Sequence, residues 1–285
     1  MMPAMSTFAV VAHAQTPTNT RLGAVLRPAQ AVSRLRSGDI ALGRLDVLPS
    51  LDGIEPGLWA LDLLAQRGVI VLNTRSSLTI AHDKLATAGA LGRAGLPHPR
   101  TTHVAPWRPE PEIEPPFVLK PRFGSWGRDV IRCDSWDDYE RARAITRTRV
   151  WFNAAGAVAQ ELVPPMGFDL RLVVASGRIV GAIHRYAAAG EWRTNVAFGG
   201  RRVPTVPSAR AAELAIQAAA AVGGDLVGVD LLPHGDDWVV LEVNGAVDFT
   251  GAYSFDDEVF AAVRAALVPN PVSVGAPGSP VYSYA

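Results

Sequence analysis

The stretch LVGVDLLPHGDDWVVLEVN, residues 226–244, holds two apolar runs, 226–232 and 238–244, around turn-forming residues 233–237. That is the pattern of a β-hairpin. Side chains alternate along a strand, so Glu242 and Asn244 share one face. With the turn centred near Gly235, Asp230 pairs with Val240 and falls on that face as well. Two carboxylates and an amide oxygen then converge among apolar Val229, Val239, Leu241 and Val243. Hard oxygen ligands of this kind suit magnesium, which keeps several waters and bridges substrate phosphates. The rival reading is a solvent-facing polar edge, and spacing alone leaves both open.

Outward from the hairpin, the alanine-rich segment 208–222 predicts a helix, with Ser208 as its cap and Gly223 as its stop. Residues 255–267 predict a closing helix, and 269–285, rich in proline, glycine and serine, a flexible tail. Upstream, 158–163, 170–174 and 179–184 read as strands, as do 117–120 and 130–133, with a glycine-bearing loop at 123–128. Ser135 caps a helix running towards Arg147. A further helix over 81–94 stops at Gly95 and Pro97, and the proline- and acid-rich 101–116 reads as a surface loop. Earlier still, 8–12, 39–48 and 69–72 are strands around a helix over 58–66, with Pro56 in its first turn and Gly68 at its end. Strands alternating with helices predict a small parallel α/β layer there.

The chain has 285 residues, enough for one large domain or two modest ones. With 48% hydrophobic and 19% charged residues it can bury a core, which excludes global disorder. A formal net charge of zero supplies no overall field towards nucleic acid or an anionic membrane. The single cysteine, Cys133, excludes an internal disulfide and a multi-cysteine zinc site, and fits a reducing cytoplasm. No run approaches the roughly 20 apolar residues of a membrane span. Residues 8–14 lack a basic leader and read as a first strand rather than a signal peptide. Of 27 basic residues only two are lysine, Lys84 and Lys120, a bias that chance alone could give.

Two further clusters suggest anion chemistry. The loop Gly124-Ser125-Trp126-Gly127-Arg128 follows Lys120; glycines let backbone N–H groups approach an anion, and the lysine adds a point charge. A simple β-turn is the alternative, and no Walker-type sequence occurs. Arg193 offers a planar fork for phosphate or carboxylate, with Asn195 as an orienting amide. Arg171 and Arg185 read as ordinary solvent-facing strand residues, and Asp169, two before Arg171, as its salt-bridge partner. The histidines show no zinc spacing, and no G-x-S-x-G elbow occurs.

Asn73, Ala81-His82-Asp83-Lys84, the 117–128 strand and loop, and Gln160-Glu161-Leu162-Val163 form an ordered series with Asp169-Leu170-Arg171 and Trp192-Arg193-Thr194-Asn195. Gly199-Gly200, Asp230 and Glu242-Val243-Asn244 complete it. The series, over about residues 69–267, resembles the ATP-grasp superfamily, specifically its RimK-like branch of α-L-glutamate ligases and lysine-biosynthesis carrier-protein ligases. That resemblance implies an α/β (α+β) ATP-grasp fold, with a short N-terminal α/β domain over 1–80 and an ATP-grasp domain over 81–268. A lid subdomain over 81–157 and a C-terminal subdomain over 158–268 would clamp ATP between two sheets, ahead of the tail 269–285.

By the same resemblance, Lys84 and Lys120 contact phosphates together with the loop Gly124, Ser125, Trp126 and Gly127. Glu161 and Leu162 form the hinge that meets adenine, and Asp169 lies near ribose. Arg193, Thr194 and Asn195 stand at the transferring phosphate, with Arg193 and Asn195 catalytic. Asp230, Glu242 and Asn244 would ligate magnesium, with manganese as a substitute. The implied enzyme is an ADP-forming carboxylate–amine ligase working through an acyl phosphate. It would join glutamate or a related amino acid to a peptide, carrier protein or small acid, without nucleic acid or membrane partners and with homo-oligomerisation open. Two departures bear on the substrate: the N-terminal domain reads as short, and Gly245-Ala246-Val247-Asp248-Phe249-Thr250 differs from the aminoadipate-ligase pattern. The alternatives are another ATP-grasp ligation, a non-catalytic ATP-binding module, or a dinucleotide oxidoreductase, the last lacking its glycine fingerprint.

Overall fold

The computed structural model describes residues 6–47, 49–50, 53–54, 57–255 and 258–268, so Leu48, Pro56 and the tail expected at 269–285 lie outside the described residues. The N-terminal part runs β1 (Phe8–Val11), α1 (Pro17–Leu22), β2 (Ala24–Leu26), α2 (Pro28–Arg34) and β3 (Ile40–Gly43). It continues through a two-residue antiparallel pair, β4 (Pro49–Ser50) and β5 (Gly53–Ile54), to α3 (Leu58–Gln66) and β6 (Ile70–Leu72). Strands β2-β1-β3-β6 form one parallel sheet, as the alternation of elements predicts. Helices α1 and α2 and strand β2 add to the elements that the sequence predicts. Each helix begins on a proline, where the missing N–H costs no intrahelical bond, and Thr16 caps α1 by accepting from Asn19 N–H.

The helix expected over 81–94 is instead two helices, α4 (Arg75–His82) and α5 (Lys84–Arg93). Asp83 breaks them: it takes an extended conformation and its carboxylate accepts from Leu85 and Ala86 N–H, capping α5. Its oxygens also receive the fork of Arg122. The break puts Lys84 at the first position of α5.

Next come β7 (Thr101–Val104), β8 (Phe117–Pro121), β9 (Ile131–Cys133), α6 (Trp136–Thr146), α7 (Val150–Ala155) and β10 (Ala157–Glu161), with an antiparallel sheet ordered β7-β10-β8-β9. Strand β7 corrects the surface loop expected over 101–116. Its Thr-Thr-His-Val sequence is a β-former that gains its ladder from the distant β10, and within 101–116 the prolines begin only after it.

The last part holds β11 (Phe168–Ala175), β12 (Arg178–Tyr186), β13 (Arg201–Pro204), α8 (Ala209–Val222), β14 (Leu226–His234), β15 (Asp237–Asn244) and α9 (Val259–Leu267). Its five strands form an antiparallel sheet, β13-β12-β11-β14-β15. Strand β11 shows how this sheet divides its labour. Leu170, Leu172 and Val174 pack under Leu214, Ala215 and Ala218 of α8. On the opposite face Val173 and Ala175 are covered by α9 and by Phe8 and Val10 of the N-terminal sheet, while Asp169 and Arg171 lie beyond that cover and line a cleft.

The hairpin forms, with one change of register. Leu231 pairs with Val240 but Asp230 pairs with Glu242, leaving Leu241 as an extra residue. The expected Asp230–Val240 pairing is therefore replaced. A bulge adds one residue to one strand and turns the side chains beyond it. Val240 accordingly joins Leu231 in the core, and Asp230 comes to face Glu242.

Asn73 ties this hairpin to the N-terminal sheet. It is fully buried, at positive φ (52°), just after β6. Its amide donates to Leu226 O (2.8 Å) and Gly245 O (3.2 Å) and accepts from Asp225 N–H (2.8 Å) and Leu226 N–H (3.0 Å). Asn73→Ala leaves four buried backbone groups without these partners, and we expect it to lower unfolding stability by about 2–4 kcal/mol. Denaturant melts check this; a loss below about 1 kcal/mol would contradict it.

Candidate active site

Every residue given a phosphate, adenine, catalytic or metal role in the sequence lines one cleft, of about 1120 Å³, between the β7-β10-β8-β9 and β13-β12-β11-β14-β15 sheets, whereas Asn73, Asp83 and Gly199-Gly200 lie outside its lining. Strand β8 brings Lys120, the break before α5 brings Lys84, and the 124–128 loop joins them from one side. Glu161 and Leu162 stand where β10 ends, Asp169 on β11, and Asp230, Glu242 and Asn244 on the hairpin; Arg193, Thr194 and Asn195 come from the 187–200 loop. The cationic residues here are Lys84, Lys120, Arg128, Arg171, Arg185 and Arg193, six against the four acids Glu161, Asp169, Asp230 and Glu242. An excess of two positive charges suits a polyanion.

The buried centre is a ladder of cross-strand ion pairs. Arg171 makes a two-bond fork to Asp230, both contacts at 2.6 Å. Arg185 forks Asp169 and also reaches Asp230 at 2.9 Å. This corrects two expectations. Arg185 is buried (5% exposed) rather than solvent-facing, and Asp169 pairs with Arg185 rather than with Arg171. The reason is register: Asp169 lies directly opposite Arg185, and Arg171 directly opposite Asp230. Such partners are closer than residues two apart on one strand. Asp169 also accepts from Thr194 Oγ1, which ties the 194 loop to the ladder. Burial alone would raise the Asp230 pKa, but Arg171 and Arg185 outweigh it and hold the carboxyl well below its usual range.

Both lysines act on Glu242. Lys84 Nζ lies 3.3 Å from Glu242 Oε1 and donates to Gly124 O at 2.7 Å; Lys120 Nζ donates to Gln160 Oε1 at 2.7 Å. Burial pushes the Lys120 pKa down to about 8, Lys84 adding to the fall while Glu242 and Asp230 oppose it. Glu242 is raised by burial yet held below its ordinary value by Lys84 and Lys120.

Two loops close over the cleft. Arg193 is held by Glu191 (2.7 Å), lies 3.7 Å over the Phe198 ring and reaches Gly127 O at 3.4 Å. Gly127 has φ 69°, and a Cβ there would stand 2.6 Å from Asn195 Oδ1. Only glycine lets these loops approach so closely.

The hairpin donors fit a hard divalent cation. Asp230 faces Glu242, and Asn244, two residues on from Glu242, lines the same cleft with an amide oxygen to offer. A carboxylate oxygen accepting one N–H keeps another lone pair, so the arginines on Asp230 do not exhaust it. Among the described residues no three acids, histidines or cysteines converge, so Asn244 has to complete such a set.

A second cleft, of about 1740 Å³, lies behind the first. Arg171, Arg185, Asn195, Glu242 and Asn244 line both and form the wall between them. Its far side is built by His13, Thr16, Arg44 and Asp46 of the N-terminal part and by Gly245, Val247 and Asp248. The sequence placed no N-terminal residue in a site, because only the packing of α9 and β11 on the N-terminal sheet brings them there.

Residues 81–261 match the RimK-like ATP-grasp domain family. The glutamate–LysW ligase ArgX of Sulfolobus acidocaldarius is 28% identical over 74% of this chain and 77% of its own length. The tetrahydromethanopterin:α-L-glutamate ligase of Methanosarcina acetivorans is 28% identical over 72% of this chain and 69% of its own. Among solved structures, a RimK domain ATP-grasp protein from Sphaerobacter thermophilus superposes with a TM-score of 0.65 at 21% identity, covering 92% of this chain and all (100%) of that one. The mixed α/β fold is thus that of ATP-grasp ligases, a fold that uses ATP and a divalent metal. No helix among the described residues is long and apolar enough to cross a membrane.

Because the chain has only two lysines, ¹³Cε-lysine NMR resolves Lys120 directly. We expect one resonance to titrate near pH 8 and to vanish in Lys120→Gln. The folded value lies below the ordinary 10.5, so the unfolded chain holds the extra proton between about 8 and 10.5. Stability should therefore rise with pH across that window. An ordinary titration for Lys120 would contradict this.

Proposed function

The chain belongs to the RimK-like ATP-grasp family, and on that premise we propose that it is an ATP-dependent ligase joining a carboxylate to an amine through an acyl phosphate. The amino acid is glutamate or a close relative, and the acceptor a peptide, carrier protein or small acid. The named relatives glutamylate a carrier protein and a pterin coenzyme, which supports that range. The observation that carries the reading is the shared wall: Arg171, Arg185, Asn195, Glu242 and Asn244 line both clefts. A non-catalytic nucleotide binder needs the first cleft alone. A ligase needs a second one, meeting the first where a phosphoryl group is transferred.

In this reading the domains divide at residue 80, with the lid over 81–157 and the C-terminal subdomain over 158–268. Lys84 and Lys120 bind the phosphates under the 124–128 loop, which excludes water from a hydrolysable acyl phosphate. At the hinge, Leu162 N–H already donates to Pro116 O at 3.2 Å, so the adenine edge falls to Val163 N–H, beside Glu161 and Leu162. Arg193 exchanges its Glu191 contact for the transferring phosphoryl oxygens, and Asn195 orients the same group. Asp169 acts through Arg185, which it fixes against the wall. Magnesium, or manganese in its place, held by Asp230, Glu242 and Asn244, would neutralise phosphate charge. A cytoplasmic setting without nucleic acid or membrane partners belongs to the same proposal.

The test is release of ADP and phosphate that requires both an acid and an amine, with the ligated product identified by mass spectrometry. Lys120→Ala should abolish Mg-ATP binding, and retained binding would sink the reading. Lys84→Arg and Lys120→Arg should each lower turnover about tenfold or more, because a guanidinium does not fit a compact ammonium site. As pH rises through about 8 the Lys120 ammonium is lost, so nucleotide affinity should fall there.

A further inference from the structure

In the N-terminal sheet, ordered β2-β1-β3-β6, the chain leaves β1 on one side for β2 and then crosses to β3 on the other. Open parallel sheets bind ligands outside the carboxyl ends of their strands at such a switch point. Here the segments leaving β1 and β3 supply His13 and Thr16, and Arg44 and Asp46, to the second cleft.

Arg44 is the first residue after β3, and its side chain is 2% exposed. Nε donates to Asn19 Oδ1, and Nη2 donates to Val247 O at 2.6 Å with Asp248 Oδ1 3.5 Å away. Nη1 is buried and has no hydrogen-bond partner among the described residues. A buried cationic N–H without an acceptor is costly, and supplying it with an anionic oxygen recovers a strong, charge-assisted bond. Asp248 does not fill this role: it stands by Nη2, is 44% exposed, and already accepts from Thr16 Oγ1. Two of the three guanidinium nitrogens are thus fixed by the protein, which aims the third. Arg44 lines the second cleft and not the first, unlike the wall residues beside the nucleotide.

We propose that Arg44 Nη1 anchors a non-reacting carboxylate of the substrate in the second cleft, which makes Arg44 a specificity residue for an acidic substrate. This rests on the ligase reading, since it takes the second cleft to be the substrate site. Val247 and Asp248, which hold Arg44 from the other side, fall in the stretch 245–250 that differs from the aminoadipate-ligase pattern, so substrate choice and that difference meet at one guanidinium.

The experiment uses the full chain loaded with magnesium and the non-hydrolysable analogue AMP-PNP, titrated calorimetrically with L-glutamate, L-glutamine and L-isoglutamine. The wild type should bind glutamate better than one of the two amides by on the order of tenfold to a hundredfold, the loss of one hydrogen bond between charged groups. Arg44→Gln should weaken glutamate by a similar factor and erase the preference over that amide, with AMP-PNP affinity unchanged within about twofold. Unchanged glutamate binding in Arg44→Gln overturns the proposal, as does an equal loss for all three ligands, which marks a purely structural role. Failure of the nucleotide-loaded wild type to bind glutamate, or to prefer it over either amide, also overturns it. Failure of the wild type to bind AMP-PNP counts instead against the ligase reading. Should Arg44→Gln not fold, Arg44→Lys carries the same comparison, keeping the charge but not the fixed fork.

Discussion

Asp230 and Glu242 face each other across β14 and β15, and two carboxylates so placed repel. Much of the surrounding architecture answers that repulsion. Arg171 and Arg185 reach Asp230 from β11 and β12, Lys84 reaches Glu242 from the start of α5, and Lys120 contributes its field from β8. Each cation comes from a different element, so the site exists only when both antiparallel sheets and α5 are in place. The same ions leave a net positive cleft beside a focused acidic point, which is what a metal-bound polyphosphate requires.

The arrangement also explains why the polar half of β11 can lie in the interior. Asp169 and Arg171 stand on the face whose continuation, Val173 and Ala175, is covered by the N-terminal sheet and α9. Charges in such a position cost several kcal/mol unless paired (order of magnitude). Forked arginine–carboxylate contacts to directly opposite residues supply that pairing, and the N-terminal part sets where the cover ends. Asn73 and Arg44 act at that boundary, one locking the hairpin's ends to β6 and the other fixing the segment after Asn244. The second cleft is therefore a product of how the N-terminal sheet docks and belongs to no single element.

Much of the site was legible in the chain itself. Glu242 and Asn244 share a face because strand side chains alternate, and the ordered motifs from Asn73 to Asn244 carry the family resemblance. The paired glycines around Trp126 marked a loop, and Gly127 is where the 195 loop comes closest. Local chemistry also misled. The helical pattern runs on through Asp83, whose carboxylate caps the next helix instead. Thr101–Val104 looks like loop in the sequence because the proline-rich stretch behind it outweighs four residues whose partner lies more than fifty positions away.

By itself, the sequence determined the strand and helix periods, the carboxylate and amide at 242 and 244, the pair of lysines and the family to which the chain belongs. These follow from interactions within a few residues, or from residue identities in fixed order. The tertiary structure alone decided the bulge at Leu241 that sets Asp230 against Glu242, and the cross-strand partners of Arg171 and Arg185. It also decided that Arg44, from the N-terminal sheet, would reach Val247 with one guanidinium nitrogen to spare. The physical reason is common to all three. Register and docking depend on which distant surfaces bury one another, and one residue's slip exchanges the two faces of a strand.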